Sequence, residues 1–416
     1  MRLAVVAVVA VVVAAVVAAG VVAGLGAAAT EAARGAERDA AERDSALECV
    51  EAEQLEEVEQ PGRAEMAARR AVVKVTPAQN GPMSVVNPFL FCVYHKDQYP
   101  AAKDDSMQVP GVRGNGMDFN QSAPFRMYHG TKVAGFPAHP HRGFETVTAT
   151  IEGVIDHADS LGNAGRYGMG DVQWMHAGEG IVHSEMFPLI HKEQENPTRF
   201  FQIWLNLPAA DKMTTPDFTM NWAHEVAIWK DEADTAQVRV WSGDFKGVRA
   251  PLESFPAQSY AHDPANGVGI FFLELKAGAT LEVDPAEFGA ASKRCMYFVE
   301  GTKAEVGGKT IRRKPGEGTT IIDLNAAEPF TIKAEDACDF LILEGKPINE
   351  PVVQHGPFVM NTREEIHQAF VAYQAKSVDG FKGFPWDSDG PVFERTKGRF
   401  ALLNKEETTP PDADIL

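Results

Sequence analysis

Hydrophobic positions along this chain cluster into short runs of strand length, separated by breaks rich in Gly, Pro, Asn and Asp. That punctuation predicts β-structure from end to end. The first runs are Ala71–Val75 and Pro88–Tyr94, followed by Thr146–Ile151 and Phe200–Leu207. A second series comprises Val238–Gly243, Ile270–Leu275, Thr280–Val283, Cys295–Val299, Thr319–Ile322 and Phe340–Leu343. Its rhythm predicts a second β-barrel after the first. Gly307-Gly308 lies between two of these runs and reads as a hairpin turn. It is not a phosphate loop, because the position five residues before Gly308, where that motif needs glycine, is Lys303. One helical signal appears late. Thr362-Arg363-Glu364-Glu365 has the form of a capping box, and Ile366, Phe370 and Tyr373 recur at helical spacing up to about Lys376.

Chemistry concentrates between Phe136 and Phe187. His139 and His141 flank Pro140, which argues against a helix interior there. His183 and Glu185 are likewise separated by one residue. In an extended strand, residues i and i+2 share a face. Two antiparallel strands would therefore aim three imidazoles and one carboxylate at a common point. Such a set suits a divalent transition metal and differs from an all-sulfur structural zinc site. His176, seven residues before His183, is expected at most to support those ligands.

Composition excludes several alternatives. The 416 residues suffice for two domains with extensions, and 44% of them are hydrophobic. A net charge of −19 with no long basic run disfavours direct nucleic-acid binding. Cys49, Cys92, Cys295 and Cys338 are too scattered for a disulfide framework or a thiolate zinc site. Cys295 and Cys338 sit in apolar runs and read as core. No G-x-S-x-G elbow or dinucleotide-binding fingerprint is present.

The segments His139-Pro140-His141-Arg142-Gly143-Phe144-Glu145, Gly170–Met175 and Gly180–Met186 resemble the pirin family of the cupin superfamily. Gly345–Thr362, with Gln354-His355-Gly356-Pro357-Phe358, resembles that family's C-terminal signature. The resemblance spans roughly Arg69 to Ala401. It implies an all-β fold of two tandem cupin barrels (double-stranded β-helix or jelly roll) with a C-terminal helix, and a metal in the first barrel only. The family's ligands fall on His139, His141, His183 and Glu185. Iron(II) is the expected ion, with nickel, cobalt, manganese or copper as alternatives. Glu145, the acid many other cupins use as a ligand, is expected to stand behind the site, because pirins pass that duty to the later glutamate. The stretch from Asp263 to Gln354 contains no histidine, so the second barrel cannot repeat the site.

The implied activity is that of a metal-dependent dioxygenase of the quercetin 2,3-dioxygenase type, acting on a flavonol and dioxygen. Glu185 would double as the base that takes the substrate's hydroxyl proton. The other reading is a non-catalytic, iron- and redox-sensing co-regulator that binds protein partners. Expected boundaries are a hydrophobic leader at 1–29, an acidic linker at 30–66, the metal-binding cupin at 67–230, a second cupin at 237–350 and a helix with tail at 351–416. The tail from Thr408 to Leu416, rich in Pro and Asp, is expected to fray.

Two features depart from that pattern. Leu3–Ala29 is almost entirely Ala, Val, Leu and Gly and is long enough to span a bilayer. It reads as a cleaved targeting signal, an uncleaved membrane anchor or an artefact of gene prediction. Leaderless pirins are cytoplasmic or nuclear, whereas this leader suggests secretory or organellar targeting, and any membrane contact would run through it alone. The segment from Tyr94 to Phe136 is long, polar and interrupted by Gly and Pro, and it leads straight into His139. It could form a lid or a surface decoration. It carries a glycosylation sequon, Asn120-Gln121-Ser122. His157-Ala158-Asp159-Ser160 and Asn163 are expected to hydrogen-bond within turns.

Overall fold

The computed structural model describes residues 71–78, 81–314 and 318–415; the leader, the acidic linker and Cys49 lie outside them. Among the described residues, no helix is long and apolar enough to cross a membrane.

Ten strands open the chain: β1 (Val72–Pro77), β2 (Phe89–Tyr99), β3 (Ala134–His141), β4 (Phe144–Glu152), β5 (Val154–Asp159), β6 (Ala164–Gly168), β7 (Val172–His176), β8 (Ile181–Phe187), β9 (Asn196–Asn206) and β10 (Asp217–Asn221). The first barrel pairs a five-stranded sheet, β10-β7-β4-β9-β2, with a six-stranded one. The latter runs from Glu406–Thr408 through Phe400–Leu403, β6, β5 and β8 to β3. A seven-stranded and a four-stranded sheet make the second barrel. The strands Gly269–Leu275, Thr280–Val283, Lys293–Glu300, Thr320–Leu324 and Cys338–Gly345 cover the runs expected there. Gly307 and Gly308, with φ of 53° and 74°, turn the hairpin between Lys303–Val306 and Lys309–Arg312. Two consecutive positive φ angles are what a tight hairpin of matching twist requires, and glycine adopts them without steric cost.

Each end of the described chain is paired across the molecule. β1 joins the second barrel by pairing with Thr320–Leu324, while Phe400–Leu403 pairs with β6 of the first. Aromatic rings link the barrels: Phe201 lies 5.7 Å from Phe272 and 6.0 Å from Trp241, and Trp241 stacks on Phe272. These belong to one continuous apolar cluster containing residues of both barrels. Cys92 and Cys295 are in it too, so these thiols are core, as is the buried Cys338. Among the described residues the one long helix, α1 (Arg363–Ala375), begins with the full capping box between Thr362 and Glu365.

Three regions differ from the sequence reading. The stretch around His157–Asn163, expected to lie in turns, is built instead around the wholly buried strands β5 and β6. Asp156, Asp159 and Arg166 can be buried because each has hydrogen-bond partners. Arg166 donates to both Asp156 oxygens (2.7 and 2.8 Å) and to the carbonyls of Phe393, Glu394 and Lys397. Asp159 accepts from the backbone of Leu161 and Asn163, which is the turn role expected for it. The C-terminal tail is not frayed. Arg399 pairs with Asp171 (2.8 Å) and donates to the Asp412 carbonyl, while Ile415 is buried among Met107, Val154 and Ile190. Strand β2, finally, continues five residues past Tyr94, to Tyr99.

That extension anchors the long segment before the first histidine pair. Arg126 pairs with Asp97 at 2.7 Å, and Tyr128 Oη donates to Asp97 at 2.8 Å. His95 Nδ1 lies 2.7 Å from Tyr128 Oη, and its ring stacks on Phe200 at 4.4 Å. Burial, reinforced by Arg126, pushes the His95 pKa down to about 3. An unfolded chain binds that proton near pH 6.5. Stability supplied by neutral His95 is therefore complete above that pH and is lost progressively as pH falls towards 3, by up to about 1.4 kcal/mol per pH unit. Urea unfolding from pH 7 to pH 4 should show a shallower loss for His95→Phe, which keeps the stack, than for the parent chain. Equal slopes would contradict this.

Candidate metal centre

Strand register builds the site. In the β3–β8 pair, His139 stands opposite His183 and Phe136 opposite Glu185, with a bulge between Phe136 and His139. Alternation puts His141 on the same face as His139, and Glu185 on the same face as His183. The extra residue of the bulge lets the Pro137 carbonyl reach His139 Nδ1 at 2.9 Å. His141 Nδ1 lies 3.4 Å from the carbonyl of Pro357. A carbonyl only accepts, so both Nδ1 atoms carry the proton and both Nε2 atoms are left as bare ligands.

The Pro357 contact joins the two stretches singled out in the sequence. The hairpin Val353–His355/Phe358–Met360 lies against the turn after His141, where Val359 N donates to Arg142 O at 3.1 Å. At Gly143 (φ +83°), a Cβ would come within 2.0 Å of the Val359 carbonyl, so this approach needs glycine. On the other side, the buried Lys212 donates to the carbonyl of Gly143 and to Asn206 Oδ1, both at 2.7 Å.

His139, His141 and His183 offer ligand atoms that all lie within 4.8 Å of one another. Their ring centroids are 4.4 to 4.9 Å apart. Burial lowers all three pKa values; that of His139 falls to about 4, and neighbouring histidines depress His141 and His183 further. Neutral imidazoles are the form that ligates. Both ring nitrogens of His183 are buried without a hydrogen-bond partner, and a metal ion would satisfy one of them. The donor set fits a divalent transition metal on this evidence.

Glu185 borders the group, with Oε2 4.0 Å from His183 Nε2. Its Oε1 accepts from Thr148 Oγ1 at 2.9 Å. Burial raises its pKa, against the opposing pull of that hydrogen bond and of His157. Phe144 and Trp204 pack on His141 at 5.0 and 5.4 Å, giving the site apolar walls.

Glu145 and His176 pair with each other at 3.0 Å, within a network that continues to Thr214 and Ser259. Neither belongs to the three-imidazole group. His157 is a neighbour that the sequence reading assigned to a turn. It stands opposite Glu185 in the β5–β8 register, 5.5 Å from the His183 ring, with both nitrogens buried and unpartnered. The i,i+2 spacing of His157 and Asp159 is the available signal, the same one that singles out the two candidate pairs.

Two barrels, one of them holding three convergent histidines inside its sheets, define a bicupin with a candidate metal site. The Pirin family model matches residues 70–205, and the model of the pirin C-terminal cupin domain matches residues 270–379. The chain belongs to the pirin family. It is 36% identical to Pirin-1 of Arabidopsis thaliana over 60% of this chain and 79% of that protein. It is 34% identical to mouse Pirin over 62% of this chain and 82% of the other. Its fold is similar to a crystal structure of quercetin 2,3-dioxygenase from Acinetobacter baumannii, with a TM-score of 0.57 and 25% identity, covering 74% of this chain and 97% of that one.

Proposed function

We propose that this protein is a metal-dependent dioxygenase that opens flavonols, with iron(II) held by His139, His141, His183 and Glu185. The observation that carries the reading is the convergence of the three imidazoles, with Glu185 4.0 Å from His183. The likeness to a quercetin 2,3-dioxygenase supports the substrate class. When bound, the ion supplies a Lewis-acid position for an ionised substrate hydroxyl and for dioxygen. The remaining work falls to the chain. Glu185, buried beside His183, takes the hydroxyl proton as the substrate enters. Thr148 holds the carboxylate in place through its 2.9 Å hydrogen bond. Phe144 and Trp204 keep water from the reacting ring.

The discriminating variant is Glu185→Gln, which preserves size but removes the base. With iron restored to full occupancy, kcat on quercetin should fall by about 10²- to 10⁴-fold, the usual contribution of a positioned general base. Steady-state loss of the flavonol absorbance band measures it. Unchanged kcat would remove Glu185 from the reaction.

A further inference from the structure

The segment between β2 and β3 brings a further imidazole towards the centre. His129 lies between two phenylalanines, with its ring 5.1 Å from Phe119 and 5.8 Å from Phe136, both edge-on. Phe119 is 39% exposed, and Phe136 packs in turn on His139 at 6.5 Å. The series Phe119–His129–Phe136–His139 therefore runs from the surface to the first of the three clustered histidines. His129 also lies close enough to His139 to contribute to its lowered pKa.

The backbone is shaped to hold this ring in place. Tyr128, immediately before it, has a left-handed φ of 53°, an uncommon conformation for a bulky side chain that persists only where its surroundings impose it. Here they do: Tyr128 Oη is fixed by Asp97 and His95. Next in the chain, Gly130 runs so close to the Val133 carbonyl that a Cβ would clash at 1.9 Å.

The tautomer follows from one contact. His129 Nδ1 lies 2.6 Å from the carbonyl of Gly116. A carbonyl cannot donate, so Nδ1 carries the hydrogen and Nε2 of the neutral ring is a bare acceptor. No described residue donates to it.

We propose that His129 is a specificity-determining residue, whose Nε2 accepts a hydrogen bond from a substrate ring hydroxyl other than the one that is deprotonated at the metal. Phe119 and Phe136 hold the His129 ring from its two sides. The preferred substrate is thus a polyhydroxylated flavonol rather than one bearing the 3-hydroxyl alone. This rests on the flavonol reading of the metal centre and adds to it a residue from outside the two i,i+2 pairs.

The test uses the full chain loaded with zinc(II) under nitrogen, so that binding is read without turnover. Dissociation constants for quercetin and for 3-hydroxyflavone come from quenching of tryptophan fluorescence. His129→Phe keeps an aromatic ring and loses the acceptor, while His129→Gln keeps an acceptor at a similar reach. A single hydrogen bond predicts that the parent chain's preference for quercetin shrinks about tenfold in His129→Phe and is largely kept in His129→Gln. Zinc stoichiometry and the urea midpoint of both variants should match the parent. An unchanged preference in a His129→Phe protein that passes those two checks overturns the role of His129. Failure of the zinc-loaded parent to bind either flavonol overturns the flavonol reading, and this inference with it.

Discussion

His183→Ala is expected to lose metal affinity by at least about 100-fold, the upper end of what removing even a supporting residue behind a ligand costs. His183 faces both strands of the site. It stands opposite His139 across β3, its ring lies 4.9 Å from His141, and its Nε2 is the atom nearest Glu185 in the ion-pair geometry. His157, 5.5 Å from its ring on the neighbouring strand, is not one of the three grouped imidazoles. Metal content after dialysis against a competing chelator measures the effect. The parent should retain one equivalent and the variant almost none, while the urea midpoint stays close to the parent's. Full retention in the variant would show that the metal is held elsewhere.

Asp156→Asn should be the most damaging single change away from the site. Asp156 and Arg166 are both wholly buried and joined by two hydrogen bonds. Removing one charge from a buried pair strands the other and costs about 3–5 kcal/mol. The same guanidinium holds three carbonyls of the C-terminal segment, and Asp156 Oδ2 accepts from Val392 N. The loss should therefore appear twice: as a lower unfolding midpoint and as faster protease cleavage between residues 380 and 399. A change below about 1 kcal/mol with an unaltered digest would rule out the Arg166 clamp.

Local pattern carried most of the strand reading. Alternation and strand-length runs located the elements of the second barrel, and the i,i+2 rule found His139/His141 and His183/Glu185 before any register was known. The capping box at Thr362 is local too, and the helix it predicts is present. What escaped depends on partners far along the chain. Asp156 and Arg166 carry no local signal, because the carbonyls that satisfy Arg166 come more than two hundred residues later. Nothing in the pattern around Lys212 marks it, because the Gly143 carbonyl that it meets lies 69 residues earlier in the chain. The C-terminal tail looked frayed by composition, whereas Arg399 and Ile415 tie it down. The resemblance marked Gly345–Thr362 as a signature without a physical role; the contact of Pro357 with His141 supplies one.

The central claim, a flavonol-opening dioxygenase centred on three histidines, is tested most directly by oxygen uptake. The full chain would be loaded with iron(II) under nitrogen and then mixed with air-saturated buffer containing quercetin. The account predicts uptake equimolar with the flavonol consumed, carbon monoxide in the headspace, and no uptake above background in His183→Ala. Stoichiometric iron in the parent with uptake no greater than in His183→Ala would contradict it.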